Sequence, residues 1–511
     1  MQISLTHHTY IRTTSSRGYI ANAYLNKQLA YEEIGASWLQ NLSYAPISIK
    51  EIILNLRKED VFREVSEEVL LCDLVEFYSF LQDCGFVKID NVDNVGRKVI
   101  TDSDSLPKEL NSLFFEVTDK CNERCVHCYI PNIKKTNGIS IPFELFKRIV
   151  DEFCLMGGKG VTLSGGEIGM HPYLAKLIEY CHAKHLDISL FSNCALFDKK
   201  EIEFLSKMDV SEVQVSLYSL DPDIHDSITK VSGSCKKTLD AIKIMQEFNI
   251  TIKMAISAMK QNARTVVDVL KFAKENNIET SVDFAIMARE DKTTDNLDYR
   301  LSIRETEQLL QEINTFDSSY LLKYKRQIIN DESDDFDFLA FLKRHVCEVG
   351  VDNLCITANG DVVPCAGWNG LVLGNVYKQS LADIWENSKE LSSLRSVKEM
   401  DFPDCVNCDA NNYCMRCMNR NYNENNMDIF STPHHFCEVA HLLKKIIESN
   451  MKTIILHRFC DNSPIEIPIN LSWRMQKEDE PTIVNWMSQD GEQEYTEHVR
   501  ETIVQIKEKL K

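Results

Sequence analysis

No apolar run in this chain approaches the eighteen or so uninterrupted residues that a membrane-spanning helix needs, so the sequence predicts a soluble protein without a membrane partner. Positive charge is in deficit. The 57 Lys and Arg residues against 77 Asp and Glu leave a formal net charge of -20, which argues against non-specific grip on nucleic acid or anionic lipid and leaves only a local basic groove open. Glycine (18) and proline (12) are too few for collagen, and neither solenoid repeats nor low-complexity tracts occur. The amino terminus, MQISLTHHTYIRTT, has neither the basic flank nor the apolar segment of a secretory signal, so a reducing, cytoplasmic location is expected.

Cysteine, by contrast, is plentiful, at 18 residues. In a reducing compartment clustered thiols read as metal ligands or catalysts, not disulfides. At 511 residues, 44% apolar and 26% charged, the chain is ordinary in composition but too long for one core, which predicts two to four domains. Seven cysteines are scattered: Cys72, Cys84, Cys154, Cys181, Cys194, Cys235 and Cys460. Free cysteine is among the most buried residue types, and these are expected in apolar interiors. The others form two groups: Cys121, Cys125, Cys128; and Cys347, Cys355, Cys365, Cys405, Cys408, Cys414, Cys417, Cys437.

Residues 1 to about 92 open with short strand-like runs and continue with three helical patterns. One begins at Ser48 with Glu51 three residues on, a capping-box pairing; in another, Leu70, Leu74, Phe77 and Leu81 share a face and Gly85 ends it. With the strand-like FVKI that follows, this suggests a compact winged-helix type of module. Residues 93–109 are polar and aperiodic and read as a linker. From Leu113 the pattern alternates: LFFEVT, GVTLS, ISLFS, VQVSL, IKMAIS and SVDFAI are strand candidates, with helical patterns between them. Six strands with intervening helices predict a parallel sheet wound by right-handed crossovers, and six units fall short of a closed eight-stranded barrel, so the fold class is α/β with an open partial barrel over 110–290. A bridging helical segment follows (291–346). A cysteine-rich region (347–440) comes next, where periodicity fades and metal is expected to replace a core. An extension (441–511) reads as helix, two short strands and a final helix, and no chemistry is legible in it.

In CNERCVHCY three cysteines follow a strand end. Three thiolates at this spacing can hold three irons of a cubane and leave the fourth open, whereas electron-transfer clusters use four cysteines. A zinc site completed by His127 is the competing reading. The CxxxCxxC spacing followed by Tyr129 resembles the radical S-adenosylmethionine (SAM) superfamily. Further elements agree in order: Ser164, Gly165, Gly166, Glu167 match its GGE element, Ser192 and Asn193 end the third strand, Ser216 lies in VSL on the fourth, and Asn262 follows the fifth. The resemblance implies a partial (β/α)6 barrel and a SAM-binding 4Fe-4S cluster on Cys121, Cys125 and Cys128. It places SAM against Tyr129, Gly165, Gly166, Glu167, Ser192 and Ser216, at the strand carboxyl ends, as parallel barrels generally do. Reductive cleavage of SAM would then give a 5′-deoxyadenosyl radical. The arginine that the family often carries after the HD pair (His225, Asp226) is absent, and Lys230 lies nearby, so the family's contact with the SAM carboxylate is not carried over.

The second group resembles the SPASM extension of radical SAM enzymes, with two residues instead of three inside its last doublet. By analogy Cys347, Cys365 and Cys417 serve one auxiliary 4Fe-4S cluster, with Cys355 available as fourth ligand, and Cys405, Cys408, Cys414 and Cys437 serve the other. If Cys355 is not a ligand, the first auxiliary cluster has an open iron. Zinc ribbons also use CxxC doublets and are the competing reading. His434 and His435 read as loop residues.

The amino-terminal module resembles the recognition element of maturases of ribosomally made, post-translationally modified peptides (RiPPs), which binds a leader peptide; a mere structural cap is the alternative. Together these resemblances imply an enzyme that binds a precursor peptide by its leader and forms a crosslink, with a flavodoxin- or ferredoxin-type electron-transfer partner. The YS variant after VSL (Tyr218, Ser219) resembles maturases of thioether-bridged peptides, of sactipeptide or ranthipeptide type. The alternatives are carbon-carbon crosslinking, a formylglycine-type maturase, or, in another class, a zinc-bearing scaffold. No catalytic acid or base is legible; Asp119, Glu116 and His225 read as structural.

Overall fold

A computed structural model of the chain describes residues 1–6, 9–13, 17–22, 27–32, 34–43, 45–90, 110–131, 138–325, 341–449, 451–457 and 464–470. The expected linker, Cys460 and the expected final helix lie outside them.

In the amino-terminal module, β1 (Gln2–Leu5), β2 (Thr9–Thr13), β3 (Arg17–Asn22) and β4 (Lys27–Glu32) precede α1 (Ile34–Gln40). Then come β5 (Ile47–Ser48), α2 (Ile49–Leu56), α3 (Asp60–Arg63), α4 (Glu67–Asp83) and β6 (Val87–Ile89). Antiparallel pairing gives two small sheets, β5-β1-β6 and β2-β3-β4. Ser48 caps α2 by accepting the Glu51 N–H at 3.2 Å, as its spacing predicts. On α4 the 3.6-residue period drives Leu70, Leu74, Tyr78 and Leu81 into a core shared with Ile3, Leu39, Ile52 and Phe86. Phe77 packs on its margin, edge-on to Trp38 with centroids 5.0 Å apart. The Tyr78 hydroxyl is buried there and donates to the Trp38 carbonyl at 3.0 Å, which satisfies the one polar atom that burial would otherwise strand.

Six parallel strands follow: β7 (Ser112–Thr118), β8 (Gly160–Gly165), β9 (Asp187–Ser192), β10 (Glu212–Ser216), β11 (Ile252–Ser257) and β12 (Glu279–Asp283). They pair in sequence order, with the helices Phe143–Leu155, Leu174–Ala183, Lys199–Leu205, Ser234–Glu247 and Val266–Glu275 between them. Strands buried on both faces would read as continuous apolar runs. Here burial alternates instead: Val161 and Leu163, Ile188 and Leu190, and Val213 and Val215 are buried, while Thr162, Ser189, Phe191 and Gln214 are half-exposed. One face of these strands is packed and the other is partly open.

The sheet does not end where the six-unit pattern does. The strand β13 (Asn353–Ile356) pairs parallel to β7, with Cys355 opposite Phe114, and β14 (Asp361–Val363) and β15 (Gly374–Asn375) extend the edge antiparallel, giving nine strands from β12 to β15. The region expected to be periodless therefore shares the barrel's sheet, and it buries Trp368, Trp385, Leu391 and Phe402. Its first strand aligns by accepting the Asn111 and Ser112 N–H groups on the Asp352 carbonyl at 2.7 and 3.0 Å.

Cys154, Cys181, Cys194 and Cys235 are buried as expected, but Cys72 is exposed on α4 and Cys84 is half-buried. Residues 1–309 and 326–441 form one compact unit; 310–325 and 442–511 form a second. In the second, β16 (Met451–His457) and β17 (Pro464–Asn470) pair antiparallel. No helix among the described residues is long and apolar enough to cross a membrane.

Candidate iron–sulfur and SAM site

The chain leaves β7 at Thr118 and turns into the loop bearing Cys121, Cys125 and Cys128. Backbone bonds hold that loop on both sides. The Gly166 and Glu167 N–H groups donate to the Thr118 and Lys120 carbonyls, both at 2.8 Å, and the Arg124 and Val126 N–H groups donate to Thr229 and Ile228 at 2.8 and 3.0 Å. Gly165 has φ +130°, and a Cβ there would collide with the Thr118 carbonyl oxygen. One at Gly166 would lie 2.7 Å from the Lys120 carbonyl carbon and closer to its oxygen. The glycines of GGE are thus required where two strand ends of the chain itself meet, in addition to any approach to a ligand.

Glu167 is buried. Its carboxylate accepts Ser192 Oγ at 2.6 Å, Asn193 N at 2.8 Å and Gly169 N at 3.0 Å. Two of the residues expected to face SAM, Glu167 and Ser192, are therefore joined directly, and Gly165 and Gly166 adjoin them. Ser216 ends β10 and bonds Tyr218, whose ring stacks on His225 (5.3 Å) and meets His127 edge-on (4.7 Å). The Tyr129 hydroxyl donates to Glu116 at 3.2 Å, and its ring packs beside Gly367 of the cysteine-rich domain. His127 lies inside the cysteine loop, edge-on to Tyr218. It is half-buried, its pKa is pushed down to about 4 by burial and then by Arg289, and Nδ1 has no partner among the described residues. Lys230 serves as the left-handed carboxyl cap of the helix Pro222–Thr229. Asp226 accepts from the Gly233 and Cys235 N–H groups and from Ser234 Oγ. Asn262 is buried and donates to the Tyr218 and Ser257 carbonyls at 2.9 and 3.0 Å. The HD pair and Asn262 thus hold loops in place.

Burial raises the thiol pKa of Cys121 to about 12 and lifts Cys125 and Cys128 as well; nearby carboxylates add to each shift, and neighbouring thiols add to those of Cys121 and Cys125. Three thiols on one short loop fit a metal cluster, which deprotonates its thiol ligands outright. An open cavity of about 380 Å³ adjoins Cys125 and Cys128, with Arg124, Arg289, Asp291 and Asp295 among its walls.

The second group of cysteines sorts into two sets. Burial raises the thiol pKa of Cys347 and Cys365, with Cys417 adding to both and Cys347 to Cys365, and burial followed by the charges of Glu116 and Cys365 raises buried Cys355. Burial, then the charges of Cys405 and Cys408, raises the thiol pKa of Cys437, and Arg420 feels both Cys414 and Cys417. His434 and His435 are not loop residues; they open the helix His434–Ser449, where His434 Nδ1 meets Glu438 at 3.1 Å. Two groups went unnoticed in the sequence. His441, one helical turn after Cys437, lies 3.8 Å from Cys408 Sγ. Glu290 shares Asn369 with Glu116 and accepts its Nδ2 at 2.7 Å. Burial, then the charge of Glu116, pushes Glu290 up to about 8. Neither has a sequence signal, because the loop after β12 and the helix His434–Ser449 carry no motif at those positions.

A three-thiol loop at the carboxyl edge of an open parallel sheet leaves one cluster position for a small chelating ligand, which defines the class of enzymes that cleave SAM at an iron–sulfur centre. Residues 115–286 match the family model of the Radical SAM superfamily and residues 347–418 that of SPASM, an iron–sulfur cluster-binding domain. The chain thus carries a radical SAM domain and a SPASM domain, and SAM and 4Fe-4S clusters are its cofactors. It is 24% identical over 360 residues to the antilisterial bacteriocin subtilosin biosynthesis protein AlbA of Bacillus subtilis, covering 68% of this chain and 76% of that one. It is 23% identical over 322 residues to an AdoMet-dependent heme synthase of Methanosarcina barkeri, covering 60% and 91%. In fold it is similar to the crystal structure of Streptococcus suis SuiB bound to precursor peptide SuiA, at TM-score 0.56 and 16% identity, over 82% of this chain and 96% of that one.

Proposed function

We propose that this enzyme matures a ribosomally synthesised peptide, binding the precursor by its leader through residues 1–92 and forming a cysteine thioether to carbon in the core. The observation that carries the reading is the amino-terminal module. Its strand β6 is a sheet edge beside α4, and α4 exposes Val69, Leu71, Val75 and Phe80. An extended leader would add to that edge by main-chain hydrogen bonds, with the apolar side chains giving specificity. Gln82 Oε1 accepts the Ile89 N–H at 3.0 Å and would yield that donor to the incoming strand. Tethering the leader raises the effective concentration of the core at the sheet's carboxyl edge. The relative named as a bacteriocin biosynthesis protein, and the SuiB structure solved with a precursor peptide, support the same reading.

In this reading residues 110–290 form the catalytic barrel, 291–346 a bridge, 347–440 the auxiliary-cluster domain and 441–511 an extension. Cys121, Cys125 and Cys128 hold the SAM-binding cluster. Cys347, Cys355, Cys365 and Cys417 hold one auxiliary cluster, and Cys405, Cys408, Cys414 and Cys437 the other. When bound, the first cluster and SAM supply the radical that removes hydrogen from the peptide. The chain's own residues orient and enclose: Glu167 fixes Ser192 and the Asn193 backbone beside the GGE turn, and the half-exposed faces of β8 to β10 offer the cofactor its bed. Tyr129 stands at the junction with the SPASM domain. A small flavodoxin- or ferredoxin-type protein is the proposed electron donor.

The test is anaerobic turnover of the reconstituted enzyme with a cysteine-containing precursor, with and without its leader. The reading expects leader-dependent loss of two hydrogen atoms, a thiol no longer open to alkylation, and 5′-deoxyadenosine formed in step. Loss of hydrogen with every thiol still alkylatable would point to a carbon-carbon link, and product independent of the leader would refute the role of residues 1–92.

A further inference from the structure

We infer that Arg416 is a hydrogen-bond donor to the carboxyl-terminal auxiliary cluster, giving its Nε–H and Nη1–H groups to sulfur while Glu399 and Asn411 hold the other end of the guanidinium. This rests on the reading of Cys405, Cys408, Cys414 and Cys437 as ligands of one cluster. Arg416 stands in the doublet between Cys414 and Cys417, next to Met415. The usual order of burial is inverted there: Met415 is 64% exposed and the Arg416 side chain 1%. An arginine is almost never fully buried unless it is paired, and this one is paired at a single nitrogen. Nη2 donates to Asn411 Oδ1 at 2.7 Å and lies 2.6 Å from Glu399 Oε2. Nε and Nη1 are buried as well, and neither has a hydrogen-bond partner among the described residues.

The stretch of chain that holds this guanidinium is the one that bears Cys405 and Cys408. Cζ lies 5.6 Å from the Phe402 ring centroid. The Cys405 N–H donates to the Phe402 carbonyl at 3.0 Å, and the Asn411 N–H donates to the Cys408 carbonyl at 3.0 Å. Cys414, two residues before Arg416, belongs to the same set of thiols. A guanidinium carries five N–H donors in a rigid fork and cannot be deprotonated in a protein, so the donors at Nε and Nη1 are present whatever the pH. Left without acceptors, buried donors on a charged group cost free energy. A cubane on four thiolates answers that need, because it is net anionic and presents sulfurs as acceptors. Hydrogen bonds to those sulfurs stabilise the more negative, reduced state and so raise the potential. Glu399 and Asn411 engage one nitrogen of the fork and thereby leave the other two for the cluster.

The experiment uses the full-length reconstituted holoenzyme, measures iron and sulfide per chain, and follows each cluster by redox titration with electron paramagnetic resonance. Arg416→Lys keeps the charge but has a single nitrogen, which Glu399 and Asn411 engage. Arg416→Leu combined with Glu399→Leu removes both charges together, so the net charge near the cluster stays the same and the donors alone are lost. In each variant iron and sulfide are expected to equal the wild type. The potential of one auxiliary cluster should fall by about tenfold in the one-electron reduction equilibrium, ~59 mV, with the other two clusters unmoved. Cys408→Ser is expected to disturb the signal of that same cluster. Unchanged potentials in either Arg416 variant would overturn the inference and leave water as the partner of the buried donors. Loss of one cluster's iron in both variants would also overturn it, by making Arg416 a strut of the fold, and so would a shift confined to a cluster that Cys408→Ser leaves alone. If Cys408→Ser leaves all three cluster signals as in the wild type, the ligand reading itself fails and takes the inference with it; unchanged Arg416 potentials beside a disturbed Cys408→Ser signal refute the inference alone.

Discussion

Replacing Gly166 with alanine tests whether the GGE turn acts through the cysteine loop or only through the bound cofactor. The added Cβ would lie 2.7 Å from the Lys120 carbonyl carbon, where ordinary contact begins near 3.4 Å, so the backbone just before Cys121 must retreat by about 0.7 Å. That movement strains the two 2.8 Å bonds from Gly166 N and Glu167 N. Each is worth about 1 kcal/mol net, and forced overpacking adds about 1–3 kcal/mol, so the local cost is about 3–5 kcal/mol. A cluster held by three thiols on this loop should not assemble fully. With three cubanes the wild type should carry about twelve irons, and G166A about eight, with both auxiliary signals intact. Where some first cluster persists, a displacement approaching 1 Å should slow reductive SAM cleavage on the order of 100-fold. The assay is iron and sulfide per chain together with 5′-deoxyadenosine formed under dithionite. Gly160→Ala is the control, because its Cβ would meet nothing nearer than the Asp187 Cβ at 3.4 Å. Twelve irons and wild-type SAM cleavage in G166A would refute the reasoning.

Cys355→Ser should alter the spectrum of one auxiliary cluster and leave the other two clusters unchanged; three unaltered spectra would show that Cys355 is not a ligand. The buried pair Glu399–Arg416, at 2.6 Å with side chains 3% and 1% exposed, should make Glu399→Gln cost about 3–5 kcal/mol by stranding a cation. In thermal unfolding a double replacement by apolar residues should recover most of that loss, and failure to do so would assign the cost to packing. Asp187 is pushed up to about 6 by burial and then by Glu212, against an ordinary 3.8. Because the folded value is the higher one, the protein loses stability as pH rises from about 4 to about 6, by roughly 3 kcal/mol. Asp187→Asn should therefore gain stability progressively over that window and hold the gain above about pH 7, as read by urea melts; a gain independent of pH would contradict the sign.

The sequence by itself determined what depends on local spacing. Three thiols within eight residues, a glycine pair at the next strand end and a six-fold strand–helix alternation each follow from short-range geometry, and each recurs in the fold. The caps at Ser48 and the face of Leu70, Leu74 and Leu81 are local in the same way. Tertiary structure alone decided which distant groups meet. The strand β13 is too short to carry a period of its own, and its place beside β7 comes from pairing across more than two hundred residues. Tyr129 follows the cysteine motif in sequence, yet its contacts with Glu116 and Gly367 come from segments distant along the chain. The same holds for Glu290 beside Glu116 and His441 beside Cys408. Neither pair has a periodic or motif signal, since each is made by two segments packed together, and long-range packing leaves no spacing in the sequence to read.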